Sequence, residues 1–142
     1  MAAPVPQRLT PFLMFQNGRA QEAIDLYTSL FDDGEVLSLT RYGAGEEGPE
    51  GTVKHAVLGI AGEQLNLIDS PIEHGFGFTP AISLYVRCGT ADEVDRLFSG
   101  LAEDGQILMP LDEYGFSERF GWVADRFGVT WQVSLDGAET SD

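Results

Sequence analysis

The chain has 142 residues, 43% of them hydrophobic and 22% charged, with 23 acidic against 8 basic side chains and a net charge of −15. A chain of this length makes one domain and buries roughly 70% of its unfolded surface, so its core needs neither a disulfide nor a structural metal. Such a composition excludes a disordered chain, and the acidity argues against nucleic acid or an anionic membrane surface as partner. Cys88 is the only cysteine. No disulfide can form within the chain, so a cytoplasmic location is expected. Met1 to Pro6 lacks the basic start and apolar run of a signal peptide. No stretch approaches the roughly 18 apolar residues of a membrane helix. The polar tail from Asp136 to Asp142 is expected to fray.

Leu9 to Gln16, apolar and aromatic before Asn17-Gly18, predicts a buried strand. From Ala20 to Phe31, apolar Ala23, Ile24, Tyr27, Leu30 and Phe31 recur at steps of three and four, one face of a helix that Gly34 stops. Val36 to Tyr42 predicts a strand, and Gly43 to Gly51 a glycine- and glutamate-rich loop. Val53 to Ile60 and Gln64 to Asp69 predict two strands joined by a hairpin at Ala61-Gly62-Glu63. A strand follows from Thr79 to Arg87. Thr90 caps a helix running to about Glu103, and Glu93 completes a Thr-x-x-Glu capping box. Ile107 to Leu111 is a predicted strand and Asp112 to Arg119 a loop. Phe120 to Ala124 and Val129 to Leu135 then pair across Asp125-Arg126-Phe127-Gly128, a turn whose end needs the positive φ that Gly128 supplies.

The two halves repeat. Leu9-Thr10-Pro11-Phe12-Leu13 aligns with Phe78-Thr79-Pro80-Ala81-Ile82, and Gly18-Arg19-Ala20-Gln21-Glu22-Ala23 with Gly89-Thr90-Ala91-Asp92-Glu93-Val94. Asp33-Gly34-Glu35-Val36-Leu37 aligns with Asp104-Gly105-Gln106-Ile107-Leu108. Val57, Leu65, Asn66 and Leu67 fall opposite Val123, Trp131, Gln132 and Val133. The fold class is therefore α+β: two tandem βαβββ modules, about 8–70 and 78–135 within one domain spanning 1–142, forming a curved mixed sheet with the helices outside. Strand alternation sends Leu13, Phe15, Ile82, Leu84, Leu65, Leu67, Trp131 and Val133 toward the helices. Met14, Ser83, Tyr85, Asn66, Ile68, Gln132 and Ser134 are left facing a cleft between the modules. Trp122, aligned with Ala56, is expected to point into that cleft, with room beside its ring at Gly121. Met14, Asn66, Ser83, Tyr85, Trp122 and Gln132 are the candidate ligand-binding residues. Their mixture of apolar area and scattered polar groups suits a small-molecule site. A planar conjugated ligand fits best, and a strongly anionic one least. Water filling the cleft, or the Trp122 ring filling it and leaving no ligand space, are the alternatives.

Pro11-Phe12-Leu13, Glu22-Ala23-Ile24-Asp25-Leu26-Tyr27, Val53-Lys54-His55-Ala56, Ile68-Asp69-Ser70-Pro71 and Thr79-Pro80-Ala81 carry a resemblance, together with the block Phe120-Gly121-Trp122-Val123-x-Asp125-Arg126-Phe127-Gly128-Val129-x-Trp131-Gln132. Over residues 8 to 135 the chain resembles the PhnB-like, or demethylubiquinone methyltransferase-like, family of the vicinal oxygen chelate superfamily. That superfamily includes glyoxalase I, extradiol dioxygenases and bleomycin-resistance proteins. The resemblance implies a glyoxalase-like fold and a homodimer. In the superfamily's enzymes the first and last strands of each module hold a divalent metal. The aligned positions here are Phe12, Asn66, Ala81 and Gln132, a poor donor set for Zn²⁺, Fe²⁺ or Ni²⁺. The expectation is a metal-independent protein without cofactor that binds a small organic molecule, its reaction unassigned. The alternatives are a metal-dependent glyoxalase- or dioxygenase-type enzyme, a bleomycin-resistance-like sequestering protein, and a non-catalytic dimeric module. The turn Gln16-Asn17-Gly18-Arg19 is not the glycine-rich turn of a methyl-donor site, and the repeat is not a doubly wound pattern.

Elsewhere, His55 reads as a hydrogen-bonded strand histidine or a general base. His74 reads as solvent-facing or a gate. Cys88 has only Arg87 as basic neighbour and makes a poor thiolate candidate. Glu46-Glu47 and Asp112-Glu113 read as solvated pairs. Arg126 is expected to pair with Asp125 or pack in its hairpin, and Arg119 reads as a cation able to reach an anionic ligand at the cleft mouth.

Overall fold

The computed structural model describes residues 7–136. The expectations for Met1 to Pro6 and for the tail beyond Asp136 lie outside those residues. Two compact units divide between Gly75 and Phe76.

In module one the elements are β1 (Phe12–Phe15), α1 (Ala20–Leu30), β2 (Glu35–Arg41), β3 (Val53–Ile60) and β4 (Glu63–Asp69), with sheet order β1-β4-β3-β2. β1 runs parallel to β4, a pairing that the intervening helix makes possible, and the other pairs are antiparallel. Helix α1 buries Ala20, Ala23, Ile24 and Tyr27. They meet Ala56, Leu58, Leu65 and Leu67, all buried on the facing side of the sheet. Each large apolar side chain so buried contributes about 1.5–3 kcal/mol. Arg19 gives α1 no side-chain cap. Asp69 at the end of β4 does this work instead: its carboxylate accepts the Ala20 N–H and the Val53 N–H, both at 2.9 Å. One buried carboxylate thus ties the start of the helix to the start of β3.

Module two repeats the order with β5 (Ser83–Cys88), α2 (Ala91–Ala102), β6 (Gln106–Tyr114), β7 (Ser117–Ala124) and β8 (Thr130–Leu135), sheet order β5-β8-β7-β6. Val94, Leu97, Phe98 and Leu101 of α2 are buried, as are Val123, Trp131 and Val133. The Thr90 hydroxyl accepts the Glu93 N–H at 3.1 Å, as the capping signature predicts. The returning Glu93 carboxylate takes the Gly89 N–H, one residue before the cap. Gly128 has φ +96° at the close of the β7–β8 turn. Among the described residues no helix is long and apolar enough to cross a membrane.

Some expectations are corrected. The first strand is only Phe12–Phe15, and Leu9 is exposed. β5 starts at Ser83, so Ile82 is exposed rather than helix-facing. The expected loop from Asp112 to Arg119 is mostly strand: β6 continues to Tyr114, β7 starts at Ser117, and only Gly115-Phe116 turns between them. The β6–β7 ladder carries several register shifts, which break the alternation that reveals a strand in sequence. Gly121 does not leave room beside the Trp122 ring. A Cβ there would come within 2.4 Å of Phe98 and 2.9 Å of Leu111, so the missing side chain makes space for helix α2.

Candidate functional site

Register fixes which side chains share a face. On β7 and β8, Val123 pairs with Trp131 on the buried helix side, and Trp122 pairs with Gln132 on the helix-free side. On β5 and β8, Ser83 pairs with Thr130 and Tyr85 with Gln132. Ser83, Tyr85, Trp122 and Gln132 therefore lie together on the helix-free face of module two, as the alternation predicts. The Gln132 amide N–H donates to the Ser83 hydroxyl at 2.7 Å. Tyr85 is 50% exposed. Its ring lies 6.4 Å from Phe120, and Phe120 meets Tyr114 and Phe116 edge-on at 5.7 and 4.9 Å. Sequence reasoning missed this aromatic cluster because it read residues 112–119 as a loop. The signal was the spacing of Tyr114, Phe116 and Phe120, which puts three rings in a single hairpin.

Met14 and Asn66, the other two candidates, lie on the helix-free face of module one. Phe12 pairs with Asn66 and Met14 with Ile68. His55 lies on the same face: its Nε2 is 2.6 Å from Asn66 Oδ1, and Phe12 stacks on the imidazole at 5.9 Å. His55 is thus hydrogen-bonded and ring-stacked, in line with the first of the two expected roles.

The same registers correct the internal alignment. Phe12 lies opposite Asn66, and in module two Tyr85, not Ala81, lies opposite Gln132. Ala81 falls before β5. Likewise Val57 lies opposite Asn66 as Trp122 lies opposite Gln132, so the counterpart of Trp122 is Val57, and Ala56 matches Gly121. Val57 therefore lies on the helix-free face of module one, as Trp122 lies on that of module two. The four positions implied for a metal are then Phe12, Asn66, Tyr85 and Gln132. They comprise an apolar ring, two neutral amides and a phenol, which do not fit a divalent transition metal. Among the described residues no group of three His, Cys, Asp or Glu side chains is placed to hold one.

Other singled-out residues have partners elsewhere. Arg119 places Nε 2.6 Å from Asp95 Oδ1 on α2, which holds it away from the helix-free face. Arg126 reaches Glu103 at 3.8 Å, and the Asp125 carboxylate accepts the backbone N–H groups of Phe127 and Val129. Glu46 accepts the Gly43 N–H and pairs with Lys54 at 3.0 Å, which holds its carboxyl below the usual range. Cys88 is buried; desolvation and then the Glu93 carboxylate push its thiol up to about 12, so no thiolate forms near neutrality. His74 is half-buried rather than solvent-facing, with Nε2 2.8 Å from the Ser70 hydroxyl. A separate cavity of about 320 Å³ opens at the carboxyl ends of β1 and β4, lined by Gly18, Thr52, Asp69, Ser70 and Ile72 among others.

A sequence model described as 3-demethylubiquinone-9 3-methyltransferase matches residues 7–134. The structure of a PhnB protein from Bacillus cereus superposes with TM-score 0.88 at 52% identity, covering 92% of this chain and 100% of that one. A Pseudomonas aeruginosa protein superposes at 0.80 with 28% identity, covering 93% and 99% of the two chains. Protein YjdN of Escherichia coli (strain K12) is 27% identical over 141 residues, 89% of this chain and 94% of its own. Among the described residues the turn after β1, Gln16-Asn17-Gly18-Arg19, is not the glycine-rich turn of a doubly wound methyl-donor fold, and each sheet is four-stranded and mixed. Sequence and fold agree: the chain belongs to the PhnB-like, 3-demethylubiquinone-9 3-methyltransferase-like family, with the glyoxalase-like fold of the vicinal oxygen chelate superfamily.

Proposed function

We propose that this protein binds a small, flat organic molecule on its helix-free sheet faces and does so without a transition metal. The observation that carries this reading is the make-up of the module-two face. Tyr85, half exposed above Phe120, lies beside the Trp122 and Gln132 pair. Rings supply stacking area, worth about 0.5–1.5 kcal/mol each beyond burial, and the amide and hydroxyl supply orientation. Met14 and Asn66 give module one a helix-free face of similar make-up, beside His55 and Phe12. A chain carrying −15 favours neutral or cationic ligands over anions. Neutral amides and rings in place of ionisable ligands favour recognition of an intact molecule, as in a sequestering protein, over metal-assisted chemistry.

Titration of the purified protein with naphthalene and with coumarin, two flat bicycles, tests this. Saturable binding is expected. Trp122→Ala should weaken it about tenfold, in line with the loss of a stacked ring, while circular dichroism stays that of the wild type. Failure of both molecules to bind up to their solubility would overturn the reading.

A further inference from the structure

Two tryptophans lie in the β7–β8 pair, and their indole N–H groups have opposite fates. Trp131 is buried against α2 and donates Nε1–H to Asp125 Oδ2 at 3.0 Å. Trp122 points the other way, and its Nε1 is sealed from solvent with no acceptor among the described residues. A buried donor without a partner loses its bond to water and recovers nothing in exchange, so native structures rarely keep one without a use. Its setting is the candidate ligand face. Gln132 is its register partner on β8 and Met109 its register partner on β6. One of the two Gln132 side-chain N–H donors is committed to Ser83, which leaves the second N–H and the amide oxygen for a ligand.

We infer that the Trp122 indole N–H is the specificity contact of the site, and that the ligand is a planar conjugated molecule presenting a carbonyl-type acceptor to it. This rests on the proposed small-molecule reading and narrows its ligand class. Entry requires a neighbouring side chain to swing aside, and in this proposal that side chain is Met109, the register partner of Trp122 on β6, unbranched with three rotatable bonds. The donor is masked until a ligand arrives. A flat hydrocarbon gains the stacking area alone, whereas a flat carbonyl compound gains the stacking area and also satisfies the N–H.

The test is a ¹H–¹⁵N titration of the full chain with coumarin, which has a carbonyl acceptor, and with naphthalene, which has none. The Trp131 indole signal serves as internal control because its proton is already bonded to Asp125. Coumarin should move the Trp122 indole signal downfield and leave that of Trp131 in place. Coumarin should also bind about tenfold more tightly to the wild type than to Trp122→Phe, which keeps a ring and removes the N–H, whereas naphthalene should bind both within about twofold. If both molecules bind and Trp122→Phe affects them equally, the N–H inference is overturned and the binding reading survives. If neither binds, both fall. A Trp122→Phe protein that melts no lower than the wild type establishes that the change is one of recognition, since removing an unpaired buried donor costs no stability.

Discussion

The indole N–H of Trp131 meets a carboxylate that already holds its own turn together. Asp125 Oδ2 accepts Trp131 Nε1–H at 3.0 Å, while Oδ1 accepts the backbone N–H groups of Phe127 and Val129 at 2.9 and 3.0 Å. Both residues are almost fully buried. Asp125→Ala would leave three donors in or near the core without their acceptor. A loss of about 3 kcal/mol or more is expected, since bonds to a charged partner are worth about 1.5–3 each and orphaned donors add to that. Urea unfolding checks it; a loss below about 1 kcal/mol would show that water replaces the carboxylate.

The same pair shows why the fold was legible in sequence and the fine register was not. The alternation Trp131, Val133 against Gln132, Ser134 survives in the structure because one face of β8 packs on α2. The offset between modules is a different matter. The β3–β4 hairpin turns at Ala61-Gly62, whereas β7–β8 spends Asp125 to Val129 on its turn. An alignment anchored on Val57 and Val123 therefore slips by one residue, and a one-residue slip exchanges the faces. Asp69 escaped notice for another reason. A lone aspartate ending a strand is ordinary in sequence, and only the fold brings Ala20 and Val53 to it.

Burial sets the reactivity of Cys88. Its thiol is pushed up to about 12, first by desolvation and then by Glu93, against an unfolded value near 8.5. Thiol reagents at pH 8 should react slowly with the native chain and rapidly in urea. The sign of the linked stability follows: above about pH 8.5 the unfolded chain releases this proton and the native chain retains it. Stability is full below that pH and falls as pH rises toward 12. Cys88→Ser should flatten that limb of the pH profile, and an unchanged slope would assign it to other groups.

Metal content follows from the corrected register. With Phe12, Asn66, Tyr85 and Gln132 at the four implied positions, protein dialysed after purification should hold far less than one equivalent of zinc, iron or nickel. Chelator should leave its melting temperature unchanged. One equivalent per chain by elemental analysis would place a donor set elsewhere and would revive the metal-dependent alternative.

Association is expected from the surface. Leu9, Ile82 and Phe116 are 88%, 74% and 67% exposed, apolar area that association would take out of water. A homodimer is expected to cover them, and light scattering should give twice the chain mass of 15.4 kDa at micromolar concentration. A mass that stays at one chain across that range would remove the dimer.

Tyr85 separates stacking from hydrogen bonding on the candidate face. It is half exposed, lies over Phe120 at 6.4 Å and shares the register row of Gln132. Its ring offers π-surface to any flat ligand, whatever acceptor that ligand carries. Tyr85→Ala should therefore weaken coumarin and naphthalene alike, by about three- to tenfold, the range that one stacked ring contributes. Stability should change by less than about 1 kcal/mol, since half of the side chain is already in water. Tyr85→Phe should bind both molecules as the wild type does. Equal loss of the two ligands in Tyr85→Ala, beside selective loss of coumarin in Trp122→Phe, would divide the work of the face between area and acceptor recognition. A Tyr85→Ala protein that binds both without loss would place the ligand away from the aromatic cluster.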